Sequence, residues 1–227
     1  MLFVRIWKLG SLHKALVIMM LSIASVQAST LLVGTPLSGS VGEAEIGSCC
    51  FLEQAFTLTS AVQVTDISLQ MSGFGTDTYT LWLTNAIGSG ATAANVLFQM
   101  DLTFPNTGGA SPGATVSIAT NLFLDSGSYF LVESSEQTSV AQGWVETGLP
   151  ALSTSFGSVG LARDTVCCLG VPVNHAFPPG STFDLIDSTS PEFQISGNVV
   201  PEPRLIFFWL TGLATIVFLK ARTRDHV

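Results

Sequence analysis

The chain has 227 residues, enough for one sizeable domain with short appendages. Only 11% of them are charged, under half the usual ~25%, and Gly, Ser, Thr and Val fill the gap, which suits short strands and turns. Between Ser29 and Val200 the single cation Arg163 stands against fourteen acidic residues, which excludes the basic footprint that nucleic acid or anionic lipid requires.

In chain order the first feature is a leader over residues 1–28. Arg5, Lys8 and Lys14 form a basic start, and Ala15 to Ile23 is an uncharged apolar run. Val26-Gln27-Ala28 then places small residues where signal peptidase needs them, so export through the Sec translocon and cleavage after Ala28 are expected. The apolar run is short for a bilayer span of ~20 residues, which argues against an uncleaved anchor.

Residues 29–197 repeatedly alternate apolar and polar side chains, the period of a half-buried strand. Between Val62/Val64 and Ile67/Leu69/Met71 the apolar parity switches, which predicts a bulge near Thr65-Asp66. Thr78 to Thr84 places Tyr79, Leu81 and Leu83 on one face. Val96, Phe98, Met100, Leu102 and Phe104 share another, as do Val116, Ile118, Leu122 and Leu124. Asp125-Ser126-Gly127 is a turn signal, and Tyr129 to Glu133 follows it, so the two flanking segments are expected to form a hairpin. Phe193 and Ile195 mark a last strand. Segments 87–94 and 106–113 are Gly-, Ala-, Ser- and Pro-rich and read as loops. No stretch supports a long amphipathic helix. The expected fold is all-β, a β-sandwich of jelly-roll or immunoglobulin-like type.

Four cysteines lie in this exported part as two adjacent pairs, Cys49-Cys50 and Cys167-Cys168. Export to an oxidising compartment makes disulfides the default. The connectivity is either two links between the pairs (49–168 with 50–167, or 49–167 with 50–168) or one vicinal bond within each. Linking between the pairs is favoured, with Gly47-Ser48 allowing the turn it needs. Zinc sites usually space their cysteines C-x2-4-C, so adjacent cysteines fit a metal poorly and no metal or cofactor is expected.

Catalytic constellations are missing from the pattern. His175 is the one histidine of the domain, on a Pro-rich loop; no nucleophile elbow, EF-hand or P-loop is present. Asp125, Glu133, Glu136 and Glu146 would have to converge in space to serve as a glycosidase pair, so a secreted hydrolase is the least favoured class. Trp82 alternates with Thr80 and Thr84 on a polar face, and Trp144 lies beside Gly143 and Glu146. Both are candidate carbohydrate contacts, and exopolysaccharide is the corresponding partner.

Residues 198–227 form a tail. Pro201-Glu202-Pro203 fixes an extended segment that presents one carboxylate. Leu205 to Leu219 is uncharged and is bracketed by Arg204 and by Lys220, Arg222 and Arg224. As a helix it spans about 22 Å, so crossing a ~30 Å hydrocarbon core needs the flanking cations to snorkel. The positive-inside rule then leaves the basic end in the cytoplasm and the acidic domain outside.

This order of parts, Pro-Glu-Pro, short apolar helix and terminal basic cluster, resembles the PEP-CTERM sorting signal of Gram-negative bacteria over residues 200–224. The resemblance implies recognition of Pro201-Glu202-Pro203 by an exosortase, removal of the helix, and a final place at the cell surface or in the extracellular matrix. Two positions depart from the pattern: Arg204 stands where a small or apolar residue is common, and Asp225-His226-Val227 extends past the basic cluster. Residues 54–145 also resemble β-sandwich domains common in such proteins, through Ile67-Ser68-Leu69, Tyr79 to Leu83, Gly127 to Val132 and Gly143-Trp144. The expected function is therefore that of a non-enzymatic exported surface or matrix protein, with a carbohydrate-binding module as the alternative.

Overall fold

A computed structural model describes residues 28–37, 40–45, 51–75, 77–108, 113–135, 143–165, 177–185 and 189–200. Residues 1–27, the four cysteines and residues 201–227 lie outside the described residues. In chain order the strands are β1 (Thr30–Gly34), β2 (Ser40–Glu45), β3 (Leu52–Leu58), β4 (Val62–Ser72), β5 (Thr78–Thr84), β6 (Val96–Thr103), β7 (Ala114–Leu124), β8 (Gly127–Ser134), β9 (Gly143–Thr147), β10 (Gly157–Asp164), β11 (Asp184–Leu185), β12 (Ser190–Pro191) and β13 (Phe193–Val199). Among the described residues the only helical pieces are two 3-10 turns, Ala93–Asn95 and Pro178–Gly180.

The described residues are all-β, with two antiparallel sheets. The first runs β1-β13-β4-β9-β12, with β7 on the other edge of β4 and β2 on β9; the second runs β11-β10-β3-β8-β5-β6. Four ladders are nested in sequence: β1 with β13, β3 with β8, β4 with β7, and β5 with β6. This nesting overturns the expected hairpin. The Asp125-Ser126-Gly127 turn does not join paired strands; β7 pairs with β4 in one sheet and β8 pairs with β3 and β5 in the other. The turn is an arch between sheets. Both flanking strands carry inward apolar faces, and that pattern is the same whether they pair with each other or pack across a core.

Tyr129 fixes the arch. Its ring is buried against Phe56, centroids 5.6 Å apart, and its hydroxyl donates to the Asp125 carbonyl at 2.8 Å. This is a tyrosine corner, in which a ring anchored in the core ties down the backbone four residues upstream. Tyr129→Phe is expected to cost about 1 kcal/mol, the net worth of one hydrogen bond, and to lower Tm by roughly 2–4 °C. Tyr79→Phe is the control. The Tyr79 hydroxyl is buried without a partner, so its loss should leave Tm unchanged or raise it. Equal losses in the two variants would remove the corner from the account.

Between the sheets lies one apolar core that includes Leu32, Phe56, Ile67, Leu69, Leu81, Leu131, Trp144, Phe193 and Ile195. The expected bulge is present, since the β4–β7 register shifts between Val64 and Asp66 and that of β13 between Ser196 and Gly197. At this row one residue of β13, two of β4 and three of β7 separate the core-facing positions, so the sheet fans open toward its β7 edge. Gly197 sits where β13 presses hardest on β4. A Cβ there would collide with the Gln63 carbonyl oxygen, which leaves glycine as the residue that fits.

Candidate functional site

Because β1 and β13 pair antiparallel from Thr30–Gly197 onward, the chain enters and leaves the domain at the same pole. Ala28 is exposed there, and the Ser29 and Thr65 hydroxyls meet at 2.8 Å. Among the described residues the last backbone hydrogen bond runs from the Val200 amide to the Ala61 carbonyl at 2.9 Å. Ala28, Thr30, Phe156, Asn198 and Val199 line an open cleft of about 400 Å³. The Asn198 side-chain oxygen is buried without a partner. The expected cleavage residue Ala28 thus stands at the mouth of this pole. Pro201, Glu202 and Pro203, together with Arg204, Lys220, Arg222 and Arg224, lie outside the described residues. The motif begins one residue after Val200, the last described residue.

Neither tryptophan is available to a sugar, which corrects the expected carbohydrate contacts. Trp144 is fully buried, opposite Met71 across the β4–β9 ladder, and its indole N–H donates to the Glu192 carbonyl at 2.9 Å. Trp82 does alternate away from Tyr79, Leu81 and Leu83, yet it is only 7% exposed. Its cross-strand neighbour Val132 and the nearby Glu53 and Thr84 are also buried on that outer face. The turn Pro178–Gly180 packs against β8, with both prolines buried, and Pro179 accepts a hydrogen bond from the Gly88 amide at 2.9 Å. A segment far downstream therefore packs beside β8 of the second sheet. The exposed aromatic on the other sheet is Phe123, 69% accessible, next to a Gln63–Asn121 hydrogen bond of 2.6 Å.

Asp125 and Glu133 do not form a hydrolytic pair. Asp125 and Glu133 are at opposite ends of β8, roughly 25 Å apart at the rise of a strand, well beyond the ~5–10 Å of a glycosidase couple. Glu133 faces the core between Leu52 and Leu81 with both oxygens unpartnered, and burial raises its carboxyl well above the ordinary range. Glu136 lies outside the described residues. Glu53 faces the other way and pairs with Arg163 at 2.9 Å; burial outweighs that pairing and pushes its carboxyl up to about 7.

Three acidic residues do gather elsewhere. Asp164 stands directly opposite Asp184 across β10–β11, and Glu146 on β9 feels the charge of Asp164. Burial raises Glu146 and Asp164, and their acidic neighbours raise them further. No sequence spacing announced this cluster, because its members come from three strands far apart in the chain. Among the described residues no group of three His, Cys, Asp or Glu is placed to hold a metal ion. No helix of the described residues is long and apolar enough to cross a membrane.

The cysteine pairs lie outside the described residues, but their neighbours are fixed. The Phe51 amide donates to the Thr165 hydroxyl at 2.8 Å, and the Thr165 amide donates to the Phe51 carbonyl at 2.9 Å. No protein-family model matches this chain, and no curated protein matches it significantly.

Proposed function

We propose that this chain is a non-enzymatic exported protein of the cell surface or extracellular matrix. In this reading a cleavable leader carries it across the membrane, and a PEP-CTERM-type tail sorts it through an exosortase. The observation that carries the proposal is the shared pole. Both sequence signals, the leader cleavage residue Ala28 and the Pro201-Glu202-Pro203 motif, attach to neighbouring ends of β1 and β13, so the domain can be released at both ends without being cut internally. The domain itself is best read as a jelly roll, because its four nested ladders are those of one long hairpin rolled into two sheets. The burial of Trp82 and Trp144 removes the residues that would support a carbohydrate-binding module.

Intact mass of the mature protein from an exosortase-bearing host tests the proposal. The expected species begins at Ser29 and lacks everything beyond the Pro-Glu-Pro region. A retained apolar segment would make the tail an ordinary anchor instead.

A further inference from the structure

We infer that the folded domain limits its own processing, because the end of β13 must open before the membrane enzyme can grip the Pro-Glu-Pro motif. The inference rests on the sorting-tail reading above and adds the control on it. β13 is an interior strand, held by β1 on one edge and β4 on the other. Its pairing continues through Asn198–Gln63 and Val199–Val62 to the Val200–Ala61 hydrogen bond. Pro201 follows at once. Only residues 201–204 separate this last bond from the apolar run starting at Leu205, a reach of at most ~14 Å when fully extended. Part of that reach is consumed by the headgroup layer, ~5–7 Å on each side of the hydrocarbon.

An enzyme that takes an extended peptide needs free chain on both sides of its target. The proline motif supplies almost none on the domain side, since the residues before it are paired. Lifting residues 198–200 breaks ladder bonds to β4 and loosens the Thr30–Gly197 contact with β1. Such opening of a strand end is a local equilibrium with its own free energy, set by the bonds it breaks.

The test is a pulse-chase of the full chain in an exosortase-bearing host, following loss of the tail by mass. One variant carries a six-residue Gly-Ser spacer inserted between Val200 and Pro201. A second, Val62→Ala, loosens the buried partner of Val199 and leaves the linker sequence untouched. The spacer is expected to speed tail loss about tenfold, and Val62→Ala severalfold. Equal or slower processing of the spacer variant overturns the gate while leaving the sorting tail intact. Acceleration by the spacer without any by Val62→Ala overturns it too, because linker length alone would then be responsible. If no variant loses its tail, the sorting reading fails and takes the gate with it.

Discussion

Reduction of the four cysteines is expected to destabilise the exported domain by about 4–5 kcal/mol, through loss of links between Cys49-Cys50 and Cys167-Cys168. The Phe51–Thr165 pair sets the geometry. Cys50 is one peptide unit from Phe51 and Cys167 two from Thr165, so their Cα atoms lie within 3.8 Å and about 7.6 Å of a hydrogen-bonded antiparallel pair. A disulfide needs Cα atoms roughly 4.4–6.8 Å apart, which this reach includes. Such links close loops of more than a hundred residues, the length at which cross-links restrict the unfolded chain most. Vicinal bonds would close only the smallest rings and restrict the unfolded chain far less, since the loop term grows with the logarithm of length. Urea unfolding with and without reductant measures the difference, and a non-reduced peptide map shows whether the 49–50 peptide travels with the 167–168 peptide. A map in which each pair stays alone, with unchanged unfolding midpoint, would discard the cross-link.

How much of this was legible in the sequence depends on whether the signal was local. The parity switch at Thr65-Asp66 is local, and the bulge is there. The Thr78–Thr84 strand was readable residue by residue for the same reason. Pairing partners are not local. Val116 to Leu124 and Tyr129 to Glu133 have the right faces for a hairpin, but the Tyr129 hydroxyl on Asp125 makes their junction an arch. The Asp-x-Gly-x-Tyr run was the available clue. Trp82 failed for a similar reason, because alternation assigns its face correctly but cannot announce that the face is buried. Glu146, Asp164 and Asp184 carry no mutual spacing, so only the fold could bring them together. The pole shared by Ala28 and Val200 likewise follows from β1–β13 pairing and from nothing within either segment.

Raising the pH from 5 to 7 is expected to weaken the domain, and Glu133 is the main cause. Its side chain is fully buried on the inner face of β8, beside Leu52 of β3, Leu81 of β5 and the Tyr79 hydroxyl that shares its environment. Arg163 is the one cation among the described residues, and it is engaged by Glu53 on the opposite face of the sheet. Among the described residues no counter-charge therefore offsets the desolvation of a Glu133 carboxylate, and burial favours the protonated form in the folded chain. The unfolded chain gives up that proton near pH ~4.3. Stability from this residue is thus complete below that pH and falls as pH rises through the elevated folded value, by up to ~1.4 kcal/mol per pH unit. Glu53, pushed up to about 7, acts in the same direction over part of the range. Glu133→Met separates the two, since it leaves the Glu53–Arg163 pair in place and substitutes an apolar chain among leucines. Unfolding curves at pH 5, 6 and 7 should show the variant gaining on the wild type at each step and exceeding it at pH 7. If both lose stability in parallel, the Glu133 carboxyl is ionised in the fold and must have found a partner there.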